Sequence, residues 1–462
     1  MLVGVAGAIA GLGLARWLTG LTAAAPLVYG EGAVAHAAQL IRTGAAYAPR
    51  VDGSFVAANY PPLFLLLASL GAPFLGGRVV SLAATGVIAV LIGWRARAAG
   101  GLVAWALALA WLSSVPVLDW GVAAKPDLLA VAFVVGAVIV AERRHARWTG
   151  ALLLCAIATK PTAAVPALAI AVWFISVDRR SFARIVAGAA LPAAVLTAVL
   201  LWAGPADAWR HIVFWNTLGW DPLRLALLAV VLVAVGGVPL VWAGRFSGGV
   251  TRAYLVGALG VFALGGREGA TVNYLLDACA ASLLALAAAV APAGATAGSW
   301  FTASGPPARS RGRPGGLVAA LIAAQLVAGT VALDPFGLVP GGTGHWGAPG
   351  RVDALRAALT PGMPALVEDA GLMVALGLEP IVDDLFLWSR LVERGVVDPT
   401  PLLTSVGEGR FAVIAAEADL GTLHASGPAY ERARWTPVLV AAIQARYDAG
   451  VRSGGLWLYR PR

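Results

Sequence analysis

The feature that most constrains this chain is a succession of apolar runs, many approaching twenty residues and separated by short loops, that fills its first 333 positions. A hydrocarbon core of about 30 Å takes about 20 helical residues to cross, and inside it every backbone polar group must be bonded within the protein. Runs at 2–24, 74–94, 101–118, 128–141, 148–160, 161–176, 184–203, 224–243, 253–265, 275–293 and 316–333 therefore predict an all-α polytopic membrane domain of about eleven transmembrane helices. The first run lacks a small-residue cleavage site before an acidic loop and is read as a retained helix. The run at 61–72 opens on Tyr60-Pro61-Pro62 and is too short to span, so it is expected at the interface. With 59% of residues hydrophobic and 12% charged, a soluble core and a disordered chain are both excluded. The two cysteines, Cys155 and Cys279, lie inside apolar runs and exclude a disulfide scaffold.

The net charge of +9 divides unevenly. Residues 1–333 carry 22 basic and 10 acidic side chains, whereas 334–462 carry 11 and 14. Positive charge thus belongs to the membrane part, where it marks cytoplasmic loops, and no basic stripe with interleaved aromatics points to nucleic acid. With the N-terminus cytoplasmic, Arg95/Arg97, Arg143/Arg144/Arg147, Arg179/Arg180/Arg184, Arg245/Arg252 and Arg309/Arg311/Arg313 all fall inside. Everything after 333 then lies outside the cell. There, acidic pairs (Glu368-Asp369, Asp383-Asp384) and β-like runs at 364–367, 411–416 and 455–459 alternate with helical ones at 370–377, 385–395 and 437–448. This pattern predicts a small α/β extracytoplasmic domain over 334–462, beyond a transmembrane domain over 1–333 whose first outer loop is 25–73.

Ionisable residues at membrane depth are costly and mark function by default. Glu31 follows the first span directly in Tyr29-Gly30-Glu31-Gly32, ahead of an interfacial helix at 33–43; it is either a reactive carboxylate between flexible glycines or a cap on that helix. Lysine usage adds a clue, since the chain has 31 arginines and two lysines, Lys125 and Lys160, both in Lys-Pro at outer breaks between spans. A compact ammonium on a phosphate accounts for them, as does chance survival under a codon bias towards arginine. Asp127, two residues after Lys125, enters the next helix as a site carboxylate or a first-turn charge. Arg267, Glu268, Asn273 and Asp277 make a polar patch at another outer helix entry, more than capping requires. The break at Thr159-Lys160-Pro161 either lines a cavity or turns a tight hairpin. Trp209, Trp215 and Trp220 read as an interfacial belt or a stacking surface, and no histidine or cysteine stands at metal-ligand spacing.

Tyr29-Gly30-Glu31-Gly32, Gly44-Ala45-Ala46-Tyr47, Asn59-Tyr60-Pro61-Pro62-Leu63-Phe64, Lys125-Pro126-Asp127, Ala158-Thr159-Lys160-Pro161-Thr162 and the segment at 269–277 occur in an order and sidedness that resemble the GT-C glycosyltransferases. Family 39 and its neighbours, the protein mannosyltransferases and the aminoarabinose transferases of lipid A, are the most similar. The resemblance implies a hexosyl or pentosyl transferase of a bacterial plasma (inner) membrane. Such an enzyme moves a sugar from a polyprenyl-phosphate donor, with inversion, to a hydroxyl of a lipid, glycan or protein acceptor on the outer face. It implies Glu31 and Asp127 as catalytic carboxylates. Lys125, Lys160 and Arg267 would meet the donor phosphate, and Tyr29, Asn59, Tyr60, Asn273 and Asp277 would contact substrate. No cofactor is required by it, though a divalent metal is compatible. Glu31 stands where Asp is commoner, Asn59 where some relatives carry lysine before Pro-Pro, and Asp277 where Glu is frequent. Two other classes fit part of the pattern: a lipid-linked-sugar flippase or transporter, which would explain broken helices but calls for internal repeats, and a non-catalytic envelope assembly subunit.

Overall fold

The chain is described by a computed structural model covering residues 1–48, 50, 53–290, 315–337 and 349–462. The basic loop expected from 291, with Arg309, Arg311 and Arg313, lies outside the described residues, as does Asp52.

Within the described residues each expected apolar run is mainly helical. After α1 (Leu2–Leu21), two short helices, α2 (Glu31–Leu40) and α3 (Pro62–Ala68), precede α4 (Leu75–Ala96), α5 (Gly101–Leu112) and α6 (Val115–Trp120). There follow α7 (Asp127–Glu142), α8 (Ala146–Thr159), α9 (Ala164–Val177), α10 (Arg179–Trp202), α11 (Pro205–Trp209), α12 (Pro222–Phe246), α13 (Gly249–Ala263), α14 (Leu276–Val290) and α15 (Gly315–Leu333). Among the described residues, six helical stretches are at least 18 residues long and apolar enough to cross a membrane; the other expected spans are shorter apolar helices. The chain is a multi-pass membrane protein.

The shortening has local causes. At Ser113-Ser114 the hydroxyls bond back to Leu109 and Trp111 carbonyls, and Pro116 cannot continue the ladder. At Lys160 the backbone is extended (φ −148°, ψ 128°) because Pro161 disfavours a helical residue before it. Helix α14, rich in alanine, packs against α4, α5, α7, α12 and α13, since small side chains let backbones approach where lipid offers no hydrophobic contrast. Helix α10 instead turns Val186, Leu191, Val195 and Leu201 outward, as a lipid-facing surface should.

Beyond the membrane part lie α16 (Pro349–Ala358), β1 (Ala365–Val367), α17 (Ala370–Ala375), α18 (Leu385–Glu393), α19 (Thr400–Gly407) and β2 (Val413–Ala416). Helices α20 (Leu423–Ser426), α21 (Ala429–Arg432) and α22 (Pro437–Arg446) and strands β3 (Val451–Ser453) and β4 (Leu456–Tyr459) complete the unit. The sheet order is β1-β2-β4-β3, with β1 parallel to β2 and the rest antiparallel. Successive strand side chains point to opposite faces. Ala365, Val367, Val413 and Ala415 accordingly pack on α16 and α17, while Leu366, Ile414 and Ala416 pack on α18, α19 and α22. Both faces are covered, which is why these strands read as continuous apolar runs. Strand β3 and helices α16 and α19 were not expected; the residues of β3 are all exposed, so hydrophobic alternation gives it no signal.

The segment between α1 and α4 is welded to this unit. Phe55 N–H donates to the Ile381 carbonyl at 2.8 Å, and Asp383 N–H donates to the Phe55 carbonyl at 2.9 Å. Ala33, Phe55 and Ala57 share a core with Leu385, Trp388 and Leu391.

Candidate active site

Where the start of α7, the end of α8 and the start of α14 meet the first loop and the C-terminal unit, a cavity of about 760 Å³ opens. Eight of the ten residues singled out from sequence line it. Tyr29, Asn59 and Tyr60 come from the first loop, Lys125 and Asp127 from the entry to α7, Lys160 from the break after α8, and Arg267 and Asn273 from the segment before α14.

Asp127 is held at the bottom. Its Oδ1 accepts from Lys160 Nζ at 2.5 Å and from Asn273 Nδ2 at 2.7 Å, and its Oδ2 is buried without a hydrogen-bond partner. Lys160 also sits 4.9 Å from the Tyr274 ring centre. The break after α8 therefore lines a cavity and points its ammonium at a carboxylate, so Lys160 is paired rather than free. Asp277 is not in this cavity; it lies in an adjoining cleft beneath Asp127, where its Oδ1 accepts from the Tyr254 hydroxyl at 3.1 Å.

Lys125 differs. It lines the cavity, and among the described residues its ammonium makes no hydrogen bond or ion pair. Burial draws its pKa below the usual lysine range, opposed by the charges of Asp384, Asp127 and Glu31. Gly30 keeps it so. That residue is in the left-handed region (φ 76°), and a Cβ there would stand 2.8 Å from Lys125 Nζ. Arg267 is partly engaged, donating to the Asn216 carbonyl, with its Nε buried and unpartnered.

Glu31 is in a place sequence reasoning did not foresee. It is fully buried behind the cavity wall, and both oxygens are filled. Oε1 accepts from Arg78 Nε at 3.0 Å and Ala124 N–H at 2.7 Å, while Oε2 accepts from Leu27 N–H at 2.6 Å and Arg78 Nη2 at 2.9 Å. Arg78 in turn donates to the Ala23 and Ala25 carbonyls. Expected as a base, Glu31 here has four donors and no exposure, and it ties α4, the turn after α1 and the Ala124-Lys125 loop together.

The C-terminal unit supplies what the sequence pattern missed. Asp384, Phe386 and Arg434 line the same cavity. The Arg434 guanidinium lies 3.8 Å over the Tyr29 ring and pairs with Glu368 and Glu417, each at 2.8 Å. The Asp383-Asp384 pair was visible as a charge cluster, yet nothing local links it to Tyr29, 355 residues away. Among the described residues no group of three or more His, Cys, Asp or Glu is placed to hold a metal ion. Of the tryptophan loop, Trp209 and Trp220 are exposed, whereas Trp215 stacks on Phe55 with ring centres 5.0 Å apart.

A helical membrane part, a first loop folded against it and a C-terminal α/β unit over a polar cavity make up the architecture. No protein-family model and no curated relative matches the chain by sequence. Among solved structures, ArnT from Cupriavidus metallidurans in the apo state is similar, with a TM-score of 0.56 and 13% identity over 99% of this chain and 97% of that one. The same protein bound to undecaprenyl phosphate gives a TM-score of 0.58 and 14% identity, covering 99% and 98%. At such identity the likeness is one of fold.

Proposed function

We propose that this chain is a glycosyltransferase that moves a sugar from a polyprenyl-phosphate donor to an acceptor hydroxyl, with inversion at the anomeric carbon. The observation that carries the reading is the Lys125 ammonium, unpaired in the wall of a large cavity, beside a glycine that leaves room for a ligand oxygen. A departing lipid phosphate needs such a cation, because charge developing in a water-poor site is stabilised far more than in bulk. The apolar side of the cavity, at Ile212, Val213 and Leu218, suits the first isoprene units. The ArnT structure with undecaprenyl phosphate supports a lipid phosphate in a cavity of this fold.

In this reading Lys125 receives the phosphate, Arg267 assists, and Lys160 fixes Asp127 against the sugar. Asn59, Tyr60 and Asn273 contact substrate, and Asp277 supports from beneath. In the same reading, residues 1–333 form the transmembrane part in a plasma (inner) membrane with the N-terminus in the cytoplasm, and 334–462 form an extracytoplasmic domain; the arginine partition supports this. The test is mass spectrometry of lipid retained by the purified protein, with transfer measured from polyprenyl-phosphate hexoses and pentoses. Retained polyprenyl phosphate is expected, and Lys125→Ala should lower it at least tenfold. Lys125→Arg should restore it only in part, because a planar fork does not reproduce a point charge. A wild-type chain that retains no polyprenyl phosphate and transfers from no such donor would sink the proposal.

A further inference from the structure

Resting on the transferase reading, we propose that Asp384, contributed by the C-terminal unit, is the catalytic base that removes the acceptor hydroxyl's proton. The carboxylates near the cavity narrow to this one. Glu31 is saturated, Asp277 lies outside, and Asp127 has one oxygen filled and the other buried. Glu268 lines the cavity, but among the described residues no donor holds its carboxylate in place. Asp384 is both held and open. Its Oδ1 accepts from the Tyr29 hydroxyl at 3.1 Å and from Leu387 N–H at 3.0 Å, and the Tyr29 oxygen accepts from Phe386 N–H at 3.0 Å. Among the described residues its Oδ2 makes no hydrogen bond, and Asp384 lines the cavity.

The backbone explains why. Asp384 is extended (φ −142°, ψ 95°), so neighbouring side chains face opposite ways. Asp383 turns inward, accepting from Ala57 N–H and meeting His36 Nδ1 at 2.7 Å, and this turns Asp384 to the cavity. Asp384 and Lys125 line the same cavity, which puts the base and the cation that meets the leaving phosphate in one site. In the step, the acceptor's proton passes to Asp384 Oδ2 as its oxygen bonds to the anomeric carbon. The bond from that carbon to the phosphate oxygen breaks, and its electron pair stays on the phosphate at Lys125. Tyr29 acts as a positioning residue, fixing Oδ1 so that Oδ2 faces the acceptor.

Asp384→Asn tests this cleanly, because asparagine caps α18 as well as aspartate does and can still accept from Tyr29. In full-length protein, kcat should fall about 10²-fold or more, while retained polyprenyl phosphate and the donor KM stay near wild type. Asp384→Ser, which also caps, should regain transfer with added formate, a rescue that a merely structural role does not give. Tyr29→Phe should lower kcat with the donor KM and retained polyprenyl phosphate near wild type, since it loosens only the hold on Oδ1. Normal kcat in folded Asp384→Asn, or a comparable loss in Glu268→Gln alone, overturns the assignment while leaving the transferase reading standing. A wild-type chain without donor binding or transfer overturns both.

Discussion

At Glu31 and Arg78 the chain buries a full ion pair, with relative side-chain exposures of 0% and 1%. Burying two charges is tolerated only when attraction and hydrogen bonds replace lost hydration, and here every carboxylate oxygen has two donors. Removing one partner strands the other, at a cost of about 3–5 kcal/mol. Glu31→Gln should therefore lower the unfolding temperature in detergent sharply, and Glu31→Gln with Arg78→Met should cost less than the sum of the two changes. Per folded molecule, Glu31→Gln should raise the donor KM more than it lowers kcat, because Ala124 N–H anchors the Lys125 loop on this carboxylate. Steady-state kinetics on the folded fraction separates that outcome from loss of a base. The sequence marked Glu31 as exceptional correctly, but a carboxylate between glycines looks the same whether it faces a substrate or an arginine 47 positions away.

Among elements, the closest approach between the first loop and the C-terminal unit is that of α2 and α17. A Cβ on Gly32 would collide with the backbone nitrogen of Gly371, and one on Gly371 would stand 2.7 Å from Pro26 Cβ. Backbone cannot give way as a flexible side chain does. Gly32→Ala should thus push the C-terminal unit off the first loop, loosening the Phe55–Ile381 and His36–Asp383 bonds along with it. Faster cleavage of the C-terminal unit under limited proteolysis, with weaker retention of polyprenyl phosphate, is the expected outcome. Unchanged proteolysis would mean that the two helices are not locked. The glycines flanking Glu31 signalled a close approach in the sequence; which backbone comes close was not legible, because Gly371 lies in another unit.

For the whole molecule, the arginine loops predict the sidedness that labelling can check. Cysteines at Ala206 and Ser426, both exposed, should react with an impermeant thiol reagent applied to intact cells, whereas one at Ala98, exposed at the far end of the α4 stretch, should react only after permeabilisation. Labelling of Ala98→Cys alone in intact cells would invert the orientation and move the cavity to the cytoplasmic side.

Read alone, the amino-acid order places this chain in a bilayer, shows roughly where its helices run and marks an α/β unit after them, because burial of apolar length and the period of two along strands are local properties. It also picked out Lys125, Lys160, Asp127, Arg267 and Asn273, since polar residues at helix breaks carry a cost that composition exposes. Only the tertiary structure decided which of these charges pair with one another and which stay free. Lys160 and Lys125 share a dipeptide context, yet one is neutralised by Asp127 and the other is left open by a glycine. It also brought Asp384 to the cavity, by way of an extended backbone at the start of α18 and a hydroxyl from the first loop. Pairing depends on distances between segments hundreds of residues apart, and a linear pattern holds no record of them.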